Sequence, residues 1–141
     1  MAKVLYITAN PKEESRSYGK TIGRHFLEAY ASARPDDDIF ELDLYRSPVQ
    51  LIDADILSAW ASLQQGAAMD ELTARQKQKL AALNELTAQF VGADKYVFVS
   101  PMWNLGLPPL LKAYIDAVVI QGKTYRDTPQ GPVGLLQGKK G

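Results

Sequence analysis

The sequence predicts an α/β fold, a doubly wound parallel sheet with helices on both faces, and three observations carry that expectation. Apolar, β-prone runs at Lys3–Thr8, Ile39–Leu44 and Tyr96–Ser100 alternate with longer segments of helical periodicity. This β-α-β-α-β-α order is one that right-handed crossovers turn into a parallel sheet. The third run, Tyr96-Val97-Phe98-Val99-Ser100, is apolar enough for a strand covered on both sides. It passes through Pro101-Met102-Trp103-Asn104 into a helix with proline in its first turn. Strand, irregular loop and helix in that order form the carboxyl edge of an open sheet, where ligands bind.

Each element has its own signal. The first strand, Lys3 to Thr8, ends at Ala9-Asn10-Pro11. A polar loop then leads to Ser17, which opens a helix running to about Ala33. Ile22, Phe26, Leu27 and Tyr30 recur at helical spacing and are expected to form its buried stripe. In the second strand Ile39, Glu41 and Asp43 alternate with Phe40, Leu42 and Leu44, the pattern of a strand near a sheet edge with one partly wet face. Asp53 or Asp55 is expected to cap a short helix carrying Ile56, Leu57 and Trp60, ended by Gly66. Thr73-Ala74-Arg75-Gln76 fits a capping box, opening a helix with Leu80, Leu83, Leu86 and Phe90 on one side and its end at Gly92. After the third strand and its helix (Pro108 to Val119), Gln121 to Gly141 is rich in glycine and turn residues. It offers one β-like run, Lys123–Arg126.

Two places attract a functional reading. Ser17 suits an N-cap, its hydroxyl accepting an orphan amide of the first turn. The free amides and the helix dipole would equally hold a phosphate. Trp103 and Asn104 stand at the sheet's mouth with an aromatic face and an amide, where backbone N–H groups can meet a planar heterocycle; Trp103 covering the core is the other reading. Pro101 stops the strand and supplies no backbone donor, so the loop must leave the ladder.

Composition and missing motifs exclude several classes. One domain over residues 1–141 is expected from the length. Sixteen basic and sixteen acidic residues cancel, giving no electrostatic case for nucleic acid or an anionic membrane. No cysteine is present, which removes disulfides and thiolate metal sites and fits a reducing cytoplasm. The amino-terminal run lacks a signal-peptide pattern and no apolar stretch would span a bilayer, so a cytoplasmic protein is expected. Neither a Gly-x-Gly-x-x-Gly after the first strand nor a P-loop occurs. The acidic positions of a receiver domain are occupied by Thr8-Ala9-Asn10 and Ser100-Pro101. His25 reads as a helix-face residue, and Asp36-Asp37-Asp38 as a solvated turn rather than a metal site.

Four stretches carry a family resemblance: Ala2–Ala9, Ser17-Tyr18-Gly19, Ala93–Asn104 with its Pro-Met-Trp-Asn-Leu run, and Gly131–Leu136. With them the sequence resembles the FMN-dependent NADH-azoreductases, relatives of the NAD(P)H:quinone oxidoreductases with a flavodoxin-like, three-layer α/β/α fold. The resemblance implies that Ser17, Tyr18 and Gly19 hold the flavin phosphate and that Met102, Trp103, Asn104 and Leu105 wrap the isoalloxazine. It implies FMN as cofactor, NADH as donor, azo dyes and quinones as acceptors in a ping-pong scheme, and a homodimer. No catalytic side chain is implied, since the flavin carries the chemistry. Gly19 departs from the polar residue frequent in relatives. The family's fourth strand starts at about Gly138–Gly141, so the chain is expected to match the N-terminal portion, up to the third βα unit. With strand three short of its outer neighbour, self-association and weak FMN binding are expected of these 141 residues. Two rival readings stand beside this one: a quinone reductase whose azo activity is incidental, and a flavin-less flavodoxin-like module serving only association.

Overall fold

A computed structural model describes all 141 residues. Three parallel strands form the sheet in the order β2-β1-β3: β1 (Lys3–Thr8), β2 (Asp38–Asp43) and β3 (Lys95–Val99). Residues Lys3 to Thr8 pair in register with Asp38 to Asp43 on one side, and Val4 to Thr8 with Lys95 to Val99 on the other. β1 is the central strand, and its side chains from Val4 to Thr8 are all buried. β2 is at the sheet's edge, as its alternating pattern foretold.

Helix α1 (Tyr18–Ala33) covers one face. Helices α3 (Ala74–Gly92) and α4 (Pro109–Val118) cover the other, and α2 (Ala54–Gln64) packs against them. The main core lies beneath α3 and α4, where Leu5, Ile7, Ala9, Leu42 and Leu44 meet Leu111, Tyr114 and Val118. Phe90 stacks on Tyr96 with ring centroids 4.3 Å apart. The helix starts follow local chemistry. Asp53 caps α2 by accepting from the Ile56 amide at 3.1 Å. Thr73 and Gln76 complete the capping box of α3, each accepting from the other's amide. Pro109 occupies the first turn of α4.

The opposite face holds a correction. Ile22 and Phe26 were expected in a buried stripe, yet they are 69% and 51% exposed. The residues that α1 turns to the sheet are Lys20, Gly23 and Leu27. Gly23 permits the contact, because a Cβ there would overlap the Tyr6 hydroxyl and come within 3.0 Å of Val99. The wet face of β2 is also satisfied here: Arg24 clamps Glu41 through two bonds of 2.8 and 2.6 Å, and Lys20 lies 3.5 Å from Asp43. Charges expected on the wet face of β2 are thus paired with α1, Glu41 remaining exposed.

Two further expectations need revision. Asp36 and Asp38 are exposed, but Asp37 is not part of a solvated turn: it accepts from the Ala2 amide, the Tyr30 hydroxyl and Lys95 Nζ. The β-like run near Lys123 belongs to a hairpin, β4 (Tyr125–Thr128) pairing antiparallel with β5 (Gly131–Gly134). On the outer side of β3, Lys140 makes a parallel bridge to Lys95, and the Tyr96 amide donates to its carbonyl at 2.8 Å. Phe98 and Phe26 are exposed beside that edge. No helix is long and apolar enough to cross a membrane.

Candidate functional site

The carboxyl ends of all three strands are brought level by two backbone bonds. The Ala9 amide donates to the Val99 carbonyl at 3.1 Å, and the Leu44 amide to the Thr8 carbonyl at 3.0 Å. Asn10, Tyr45 and Ser100 therefore start three loops along one edge. Between the first and third lies a cavity of about 270 Å³, lined by Asn10, Lys12, Arg16, Ser17, Tyr18 and Gly19 with Ser100 and Pro101 opposite.

One wall of this cavity is the first turn of α1. Ser17 is its N-cap, with extended backbone and its Oγ accepting from the Lys20 amide at 3.2 Å. The Thr21 amide donates to the Ser17 carbonyl, and the Tyr18 and Gly19 amides donate to nothing within the chain. Lys12 and Arg16 line the same wall, and neither has an acidic partner. No carboxylate lines this cavity, whereas these two cations and two unpaired amides do. The expectation that Ser17 is an N-cap holds, and the arrangement also leaves room for an anion.

Sequence reasoning passed over the two residues that support this turn. Asn10 donates from Nδ2 to Ser17 Oγ at 3.1 Å and accepts the Lys12 amide on Oδ1 at 3.0 Å. Lys20, only 5% exposed, donates from Nζ to the Lys12 carbonyl at 2.8 Å. Glu13 and Asp43 are bridged by Arg46 at 2.8 and 2.6 Å, tying the loop to the end of β2. Burial raises the Asp43 carboxyl, but hydrogen bonds from Arg46 and the Tyr45 amide and the nearby Lys20 charge hold it below its ordinary value on balance.

The other candidate residues lie just past Pro101 and are built differently. The Trp103 amide donates to the Gly106 carbonyl at 3.0 Å, and the Gly106 amide returns to the Trp103 carbonyl at 2.9 Å. Asn104 and Leu105 between them have φ of 49° and 62°, the two positive values of a type I′ turn. Leu105, 93% exposed, occupies a position that favours glycine, so the loop carries backbone strain. The amides of Met102, Asn104 and Leu105 have no acceptor within the chain. Trp103 is no core residue: its ring stands on the surface, edge-on to Tyr45 at 6.2 Å. The structure thus places Ser17, Tyr18 and Gly19 in one cavity, while Met102, Trp103, Asn104 and Leu105 form an exposed turn next to it.

Comparison with known proteins bears on the family and the fold. The family model described as flavodoxin-like fold matches residues 2–141. The chain is 54% identical over 140 residues to an FMN-dependent NADH:quinone oxidoreductase of Bacillus pumilus and 50% identical to one of Bacillus subtilis. Each match covers 99% of this chain and 66% of the relative, so the chain spans about two thirds of the length of these curated relatives. A crystal structure of an FMN-dependent NADH-azoreductase from Bacillus anthracis in complex with FMN superposes with a TM-score of 0.92 at 35% identity, over 99% of this chain and 66% of the other. On this evidence, sequence and fold together, the chain belongs to the flavodoxin-like family in which these oxidoreductases are found.

Proposed function

We propose that the chain carries the flavin site of an FMN-dependent oxidoreductase that passes electrons from NADH to quinones and azo compounds. The observation that carries this reading is the adjacency, on one sheet edge, of a cavity with two unpaired cations, unpaired amides and no carboxylate and a loop with three free amides. The cavity fits a terminal phosphate, with Ser17, Tyr18 and Gly19 as donors and Lys12 and Arg16 supplying positive charge. The turn fits a planar heterocycle, with Met102, Asn104 and Leu105 amides available to its nitrogen and oxygen atoms and Trp103 beside it. When bound, the flavin supplies hydride and electron transfer in two ping-pong half-reactions, one with NADH and one with the acceptor. The protein binds and orients it and keeps water from the ring. None of the residues lining the cavity is a carboxylate or an imidazole.

The names of the curated relatives favour quinones over azo dyes as the better acceptors. A homodimer fits the apolar side chains of Tyr18, Met102 and Leu105, which stand exposed around the site. A cytoplasmic setting, where NADH is available, goes with this reading. Titration of FMN into the protein should quench flavin fluorescence saturably at one FMN per chain, and NADH oxidation should then depend on added benzoquinone more strongly than on an azo dye. Absence of saturable quenching would contradict the proposal.

A further inference from the structure

A hydroxyl has two acceptor positions and one proton. Both acceptor positions of Ser17 are filled, by Asn10 Nδ2 at 3.1 Å and by the Lys20 amide at 3.2 Å. Its proton meets no acceptor within the chain, although Ser17 is only 7% exposed and lines the cavity. Asn10, itself 9% exposed, determines this outcome. The Lys12 amide donates to Asn10 Oδ1 at 3.0 Å, which fixes the carboxamide with its NH₂ toward Ser17. Turned over, the carboxamide would set NH₂ against the Lys12 amide. Its oxygen would then take the Ser17 proton inward, leaving the cavity one donor short.

We infer that Asn10 is a positioning residue that makes Ser17 a pure donor toward the cavity, and thereby sets the site's preference for a terminal phosphate ester. The inference rests on the flavin-phosphate reading given above. With the Ser17 proton, the Tyr18 and Gly19 amides, Lys12 and Arg16 all donating, the matching ligand end is one that only accepts. An ionised phosphate monoester meets that condition. An alcohol in the same place brings a proton of its own and finds no acceptor among these groups.

The quantity that tests this is the ratio of riboflavin to FMN dissociation constants, read by fluorescence titration of the 141-residue protein. The wild type should prefer FMN. Asn10→Asp keeps the acceptor for Lys12 but offers Ser17 an acceptor as well, so its proton turns inward; the ratio should fall about tenfold or more, as expected for losing a bond to a charged group. Riboflavin affinity should stay at its wild-type value. The uncharged Asn10→Ala should lower the ratio less. In the Ser17→Ala background it should lower the ratio no further, because Asn10 acts through that hydroxyl. Asn10 variants that retain the wild-type ratio, or an Asn10→Ala effect that persists without Ser17, would overturn the inference while leaving the phosphate site standing. A wild type that binds FMN and riboflavin equally would overturn both.

Discussion

The two ends of the site, side by side on one sheet edge, are built on opposite principles. At the α1 end the polar groups are buried and held from behind: Ser17, Asn10 and Lys20 are all below a tenth exposed, and each bonds within the same small network. At the Trp103 end, backbone is folded into a strained type I′ turn whose side chains stand in water. The first is preorganised, with its donors aimed before any ligand arrives. The second is a platform whose geometry is set by two backbone bonds and by the Trp103–Tyr45 contact. Selectivity for an anion needs fixed donors, whereas a flat ring needs only an edge of amides. On the flavin reading proposed above, the two halves of one ligand would be matched to two kinds of structure.

Substitutions should separate the ends in order of effect. Gly23→Val should be the most damaging, since its side chain would push α1 away from Tyr6 and Val99; overpacking of this kind costs about 3 kcal/mol. Thermal melting should show the loss. Lys20→Met comes next. It leaves the Lys12 carbonyl without its donor and loosens the loop bearing Asn10, at about 1–3 kcal/mol. FMN affinity should fall while riboflavin affinity holds. Trp103→Ala should reverse that pattern, weakening FMN and riboflavin alike and lowering the melting temperature little, because Trp103 is not in the core.

Two smaller effects sharpen the contrast. Leu105→Gly removes a side chain from a positive-φ position and should stabilise the free protein by up to about 1 kcal/mol, the left-handed penalty less the entropy cost of glycine. No comparable gain exists in the α1 turn, where no residue has positive φ. Of the two ends, the α1 end should contribute to the pH dependence. Asp43 is held below its ordinary value of 3.8, so the stability it confers is present above that pH and is lost as pH falls from there toward the folded-state value. Melting curves on acidification should fall less steeply in Asp43→Asn than in the wild type, while the contributions of Asp37, Glu41 and Asp53, also held below their ordinary values, remain.

Much of this fold was legible in the sequence because it rests on local signals. Three apolar runs, the Thr73–Gln76 box, an aspartate cap at Asp53 or Asp55 and proline at a helix start each declare themselves within a few residues, and the structure selects Asp53. Ser17 and the loop after Pro101 were legible for the same reason. What escaped was set by distant partners. Asn10 reads locally as a turn residue beside Pro11, and its role arises only when the end of β1 meets the start of α1. Lys20 reads as a solvated helix residue until Asp43 and the Lys12 carbonyl close over it. The stripe at Ile22 and Phe26 was misread because periodicity marks an apolar side without saying what covers it. The β4–β5 hairpin was hidden by Gly131, Pro132 and Gly134, residues that weaken any strand signal.

The division of labour between the two ends is the central claim, and amide hydrogen exchange measured with and without ligand tests it most directly. FMN should protect the Tyr18 and Gly19 amides together with those of Met102, Asn104 and Leu105, all of which lack acceptors in the chain. Riboflavin should protect the second group and leave Tyr18 and Gly19 exchanging as in the free protein. Equal protection of Tyr18 and Gly19 by both ligands, or protection of neither group by FMN, would contradict the account.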